Sequence, residues 1–287
     1  DLHVRSRRQR QMCIRDRPLP TAGTAPQSHQ LTGSASQRPR AASLSRRVLA
    51  QARFETMTMV RNGEQLLLLV ILPVMALVGL TFTDLLDPYR VDGASRVDVA
   101  VPGILVLCVI SSAFSGQGIQ TGFDRRYGVL RHLSTTPLGR SGLIAGKLLA
   151  ILAVLVLQYL VIAAVAAWLG WRPSGLAVLG SIPLLVLVAV TFTGLGMLIA
   201  GTLRAEATLA VLNVVWVALA AGGGVLFPLT ALPGWLSRLV ALLPSSAAGE
   251  LVRECFLGTP ATLAPLLVLG VWAVLSWAAT VKWFRWV

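Results

Sequence analysis

The sequence predicts an all-α membrane protein: six transmembrane helices, an N-terminal amphipathic interface helix, and two short outer re-entrant helices between spans five and six. Three observations carry this. Hydrophobic residues make up 55% of the 287 residues and charged residues only 13%, against about 25% charged in soluble domains. Six runs contain no Asp, Glu, Lys, Arg or His: 66–83, 99–119, 148–169, 176–200, 208–227 and 262–281. The segments between them divide sharply by charge. The first, 84–98, has four Asp and two Arg, whereas the next, 120–147, has four Arg, one Lys and one Asp.

Residues 1–43 precede all of this and form a separate compositional unit. They are rich in Arg, Ser, Gln and Pro without an apolar period, the signature of a disordered basic tail. The run RRQRQMCIRDR, Arg7–Arg17, resembles translated adapter sequence carried into a gene model; a basic membrane-surface tail is the alternative. Residues 44–287 are the transmembrane domain. The net charge of +13 is no argument for a nucleic-acid partner. It concentrates in the tail and beside the spans, where basic residues set topology.

From Leu44 the pattern becomes helical. Leu44, Val48, Leu49, Ala52 and Met59 share one broad face, Arg46, Arg47, Arg53 and Arg61 lie off it, and Glu55 interrupts the stripe. This mixture predicts a helix in the cytoplasmic interface, in contact with lipid; a soluble helix packed on a partner is the alternative. The six runs that follow are each long enough to cross roughly 30 Å of hydrocarbon at about 1.5 Å per residue. Backbone polar groups in lipid must be satisfied internally, so the runs are helices. The positive-inside rule places 120–147 and both termini in the cytoplasm and 84–98 outside. Trp168, Trp171 and Trp235 fall at the outer interface. Pro233 and Pro244 bracket a short apolar piece, and a second piece carries Glu250, Arg253 and Glu254. Neither spans; both are expected to dip into or rest on the outer leaflet.

The spans offer little chemistry. Their lack of charge argues against an ion-coupled transporter. His3, His29 and His132 lie outside them, which argues against an intramembrane Ser protease, and no H-E-x-x-H occurs. Cys13, Cys108 and Cys255 have no metal-ligand spacing and are expected to be free thiols. Gln117, Gln158 and Asn213 are polar residues of the kind that bond helices together. The run GLIAGKL, Gly142–Leu148, is one residue too short for a phosphate loop and has Leu148 where Ser or Thr would hold Mg²⁺. No catalytic, cofactor-binding or metal site is expected in this chain.

The basic loop is the informative segment. Arg125–Leu133 is compatible with a helix, Gly128 with a point of close approach, and Thr136-Pro137 with a stop, because the residue before Pro is pushed out of the helical region. Leu130 and Leu133 are three apart and share a face. This predicts a rigid docking element for a soluble partner, against the alternative of a solvated connection.

At this loop the chain resembles the ABC-2 type permeases, the transmembrane subunits of ATP-binding-cassette exporters, and in particular their daunorubicin-resistance-like branch. The residues carrying the resemblance are Asp124, Arg125, Gly128, Leu130, Leu133, Thr136-Pro137-Leu138 and Gly146-Lys147. A second stretch, Gly222–Arg253, resembles the family through Phe227-Pro228, Pro233, Trp235, Pro244, Glu250 and Arg253. Arg126 and Arg131 depart from it, standing where relatives carry Glu. The resemblance implies a bacterial plasma-membrane exporter of a hydrophobic drug, antibiotic or lipid-like substrate. It also implies two cytoplasmic ATPase subunits that hold the ATP and Mg²⁺, a second permease, identical or related, and coupling through Arg125–Leu133. A polysaccharide or lipid-linked-glycan exporter, and a non-ABC channel or scaffold, are the competing classes.

Overall fold

The computed structural model describes residues 42–63, 67–90, 93–134, 136–260 and 262–284. The expected tail lies almost wholly outside them. Regular structure among the described residues is helical. Helix α1 spans Leu44–Arg61. A π-helical turn, Leu67–Ile71, leads into α2, Leu72–Phe82. Next come α3 (Arg96–Val109), a π-helical stretch (Ile110–Gly116) and α4 (Gln117–Arg126), which together make one continuous helix. The remaining helices are α5 (Val129–Ser134), α6 (Gly139–Trp168), α7 (Gly175–Thr202), α8 (Ala205–Gly222), α9 (Gly234–Val240), α10 (Pro244–Leu257) and α11 (Leu263–Trp283).

Among the described residues, five helices are long and apolar enough to cross a membrane: Arg96–Arg126, Ser141–Trp168, Gly175–Thr202, Ala205–Gly222 and Leu263–Trp283. The run expected to be the first of six spans is realised as a shorter apolar helix, Leu69–Phe82. Pro73 sits in the first turn of α2, directly after the π turn. The expected fifth span also stops early, because 223–227 leave the helix.

The helix Arg96–Arg126 is the centre of the molecule, with α2, α6, α7, α8 and α10 around it. Its small residues permit this. A Cβ on Gly196 of α7 would lie 2.7 Å from the Phe114 carbonyl, and one on Gly118 would lie 2.6 Å from Leu212 of α8. Gln158 ties three helices as expected of helix–helix glue: Ser112 Oγ donates to its Oε1 (2.8 Å), and its Nε2 donates to the Leu69 carbonyl (2.6 Å).

The two expected outer helices differ from each other. α9 carries an exposed Trp235, whereas α10 is enclosed by α3, α7 and α11. The small residues of Pro244–Gly249 allow that enclosure, so α10 packs between helices. Trp171 is likewise buried, 5.3 Å from the Phe256 ring, and so is not an interface anchor.

Candidate coupling site

The buried face of α1 is set by Val48, Ala52, Glu55 and Met59, spaced four, three and four apart. It lies against the first turns of α6. Gly146 permits the approach: a Cβ there would be 2.8 Å from the Gln51 side chain. The closeness brings Lys147 Nζ to 3.0 Å from Glu55 Oε1 and 3.0 Å from Asp124 Oδ2, and Gln51 Nε2 donates to Glu55 Oε1 at 2.9 Å. The Lys147 side chain is 1% exposed, that of Glu55 3%, and that of Asp124 21%. One ammonium therefore joins α1, the end of α4 and the start of α6.

Such a charge persists away from water only because each of its partners is charged and close. Removing one member of a buried pair typically costs about 3–5 kcal/mol. Glu55 is thus no interruption of an apolar stripe. It belongs to the buried face and is the anion that permits Lys147 to be there. The sequence carried a signal of this: an acid in register with Ala52 and Met59, and a lone Lys immediately before an apolar run.

The segment after Asp124 departs from a single helix over Arg125–Leu133. α4 ends at Arg126, and Gly128 adopts φ +73°, the left-handed conformation that glycine enters without a steric penalty. Tyr127 N–H still bonds the Phe123 carbonyl (2.9 Å), and the chain restarts as α5, where His132 N–H bonds the Gly128 carbonyl at 3.0 Å. No atom lies within 4 Å of a Cβ built on Gly128, so its role is the change of direction, not close approach. The Thr136 N–H and hydroxyl both donate to the Leu133 carbonyl (3.1 and 2.6 Å), which closes α5 before Pro137.

This break turns the leucines inward. Leu130 is 2% exposed and packs with Leu138, Leu143, Met197 and Phe284; Leu133 is half-buried against the same cluster. Leu130 therefore does not face a partner, contrary to what three-residue spacing on one continuous helix would give. The outward surface is made by Tyr127, 71% exposed, with Val129, Arg131 and His132. Tyr127 is held by its neighbours: its ring stacks on Phe123 (centroids 6.1 Å apart), with the Arg126 guanidinium 5.9 Å away.

The arginines of the loop are engaged by the chain itself. Arg125 Nη2 donates to the Leu203 carbonyl at the end of α7 (2.6 Å), and Arg126 pairs with Glu206 in the first turn of α8. On α1, Arg47 donates to the Pro137 carbonyl, whereas Arg46, Arg53 and Arg61 are exposed. Leu44 and Leu49 join them at the surface, so only part of the expected apolar stripe is buried. The loop is thus bolted to α1, α6, α7 and α8, and Phe284 at the end of α11 packs at the same end of the molecule.

The opposite end holds the other group of expected residues. The guanidinium of Arg253 is buried, with Nη1 donating to the Val225 carbonyl (2.8 Å) and Nη2 to the Gly224 carbonyl (2.6 Å). Glu250 Oε1 accepts from Arg253 (3.1 Å) and from the Leu229 N–H (3.3 Å). Gly224 is left-handed at φ +72°, and a Cβ on Gly249 or Gly103 would lie 2.6 Å from the Gly224 or Val225 carbonyl respectively. Phe227 meets the Tyr89 ring edge-on at 6.4 Å, Pro228 precedes a 3₁₀ turn, Pro233 caps α9 and Pro244 opens α10. Nearby, Arg96 pairs with Asp84 and Asp87, and its hydrogen bond holds the Asp87 carboxyl below the ordinary value of 3.8. This end is built from side chains fastening a loop, not from a reactive constellation.

Residues 46–257 match the family described as ABC-2 type transporter. The chain belongs to the ABC-2 type transporter family. It is a multi-pass membrane protein and a permease component of an ABC transporter, a family whose members work with an ABC ATPase. The match covers both regions described above, the Lys147 junction and the Arg253 staple. Comparison with individually curated proteins finds no match.

Proposed function

We propose that this permease is a six-span exporter subunit of the daunorubicin-resistance-like branch, moving a hydrophobic drug, antibiotic or lipid-like substrate across a bacterial plasma membrane. A separate cytoplasmic ATPase, two copies per complex, supplies the ATP and Mg²⁺, and a second permease completes the path. The N-terminal tail, α1 and the end of α11 lie on the cytoplasmic side. The observation that carries the coupling part is the Lys147 junction. A push on the outward patch around Tyr127 reaches α4, α6 and α1 together, because Asp124 and Glu55 grip the same ammonium.

The substrate path is supported by a groove of about 720 Å³ beside the π-helical stretch, a size suited to one drug-sized molecule. Ser111, Ser115, Gln120, Asn213 and Trp216 contribute polar groups to its lining, and Leu72, Ile119 and Phe123 apolar ones. Trp216 Nε1 donates to Ser111 (2.9 Å) and Ser115 to Asn213 (3.3 Å). The lining carries no formal charge, which favours an uncharged amphipathic substrate. The test is to co-express the permease with its ATPase and follow ATP-driven uptake of substrate into inverted vesicles. Tyr127→Ala is expected to lower complex recovery and export together. Asn213→Leu is expected to alter substrate preference with the complex intact. Normal export in both variants would contradict the reading.

A further inference from the structure

One flank of the α1–α6 pair is left uncovered by the described residues. A groove of about 500 Å³ runs between them, walled by Leu49, Met57 and Val60 of α1 and by Leu149 and Ala153 of α6. A single cation, Arg53, joins this otherwise apolar lining, with Thr56 beside it. Arg53 is exposed, whereas Arg47, Arg125 and Arg126 are each engaged by another part of the chain. Arg46, about two turns earlier on α1, is exposed on the same side.

The groove continues into the exposed face of the span. Leu149, Ala153, Val156 and Leu160 are spaced four, three and four apart, and all are exposed. They form one stripe down α6. An occupant must therefore have an anionic head for Arg53 and Arg46 and a long apolar body for the stripe. A soluble anion has no use for the second feature, and a neutral lipid has none for the first.

We infer that this groove is a binding site for one anionic phospholipid, its phosphate held by Arg53 with Arg46 and one acyl chain laid along Leu149–Leu160. The lipid would cover the side of α1 that α6 leaves open and hold the interface helix at a fixed depth. The proposal needs only that α6 crosses the membrane, so it is separate from the reading of Tyr127 as an ATPase contact.

The test is native mass spectrometry on the purified full chain in detergent, titrated with phosphatidylglycerol, phosphatidylcholine or glycerol 3-phosphate. Wild type is expected to retain one phosphatidylglycerol about fivefold more tightly than phosphatidylcholine, the scale of one interfacial Arg. Arg53→Gln is expected to abolish that preference, and Arg53→Lys to keep most of it. Ala153→Phe fills the groove and is expected to weaken retention of either lipid. Arg53 and Ala153 are exposed, so unchanged melting temperatures accompany these losses. Glycerol 3-phosphate is expected not to compete. Undiminished phosphatidylglycerol preference in Arg53→Gln and Ala153→Phe would overturn the proposal, as would full displacement by glycerol 3-phosphate, which would make the groove a site for free phosphate esters.

Discussion

Lys147 and Arg253 are both buried cations near opposite ends of one membrane protein, and they are held in different ways. Lys147 is held by carboxylates from two other elements, Glu55 on α1 and Asp124 on α4, the first of them 92 residues away in sequence. Arg253 is held mainly by backbone, the Gly224 and Val225 carbonyls, with Glu250 one turn away on its own helix. A side-chain ion junction can open and re-form as elements shift, and one of its partners already touches solvent. A guanidinium fork on two carbonyls fixes the shape of one turn and has no second arrangement nearby. The comparison teaches that the fold places its adjustable charge beside the outward loop and its fixed charge at the far end.

That contrast can be broken by removing each cation. Lys147→Met strands two carboxylates, one of them almost wholly buried, and is expected to cost about 3–5 kcal/mol, read as a large fall in the melting temperature of the purified chain. Adding Glu55→Leu is expected to restore part of it, because the remaining Asp124 can be hydrated. Arg253→Met is expected to cost about 2–3 kcal/mol through the unpaired carbonyls. Arg253→Lys should recover little, since an ammonium lacks the planar fork that spans both oxygens. Partial rescue at Lys147 without rescue at Arg253 is the pattern that the comparison requires.

The next test sharpens the difference between inward and outward residues of the loop. Leu130→Ala is expected to destabilise by about 2 kcal/mol, because the cluster of Leu138, Met197 and Phe284 loses its centre. Tyr127→Ala is expected to leave the melting temperature unchanged and to lower recovery of the ATPase. Reversal of these two effects would return Leu130 to the docking face.

The smallest expected effect concerns the Arg96 cluster. Its hydrogen bond to Asp87 depresses that carboxyl, so the folded state gains stability above the unfolded pKa and loses it as pH falls through the lowered folded value. Arg96→Gln should flatten the acid limb of the melting-temperature profile below about pH 4. Both groups are exposed, so the shift is small.

Much of this was legible from the chain itself. Five of the apolar runs fall on the five long helices because transfer into lipid depends on local composition. α1 was visible for a similar reason, as were the loop and its closure at Thr136-Pro137. The break at Gly128 was not, since a glycine inside a helical pattern reads equally as a contact point or a left-handed turn, and that choice decides which way Leu130 faces. The Glu55–Lys147 pairing joins residues far apart in sequence, so each looked like a local irregularity. Arg253 was singled out by family resemblance, but its carbonyl partners could be seen only once α10 was placed between α3 and α7.

The central claim is that Lys147 and Glu55 act as one unit joining the interface helix to the base of the loop. A double-mutant cycle of Glu55→Gln and Lys147→Met on the stability of the full chain tests it most directly, with the exposed Arg126–Glu206 pair as comparator. The account predicts a coupling energy of at least about 1.5 kcal/mol for the buried pair and well under about 1 kcal/mol for the exposed one. Additivity of Glu55→Gln and Lys147→Met within about 0.5 kcal/mol would contradict it.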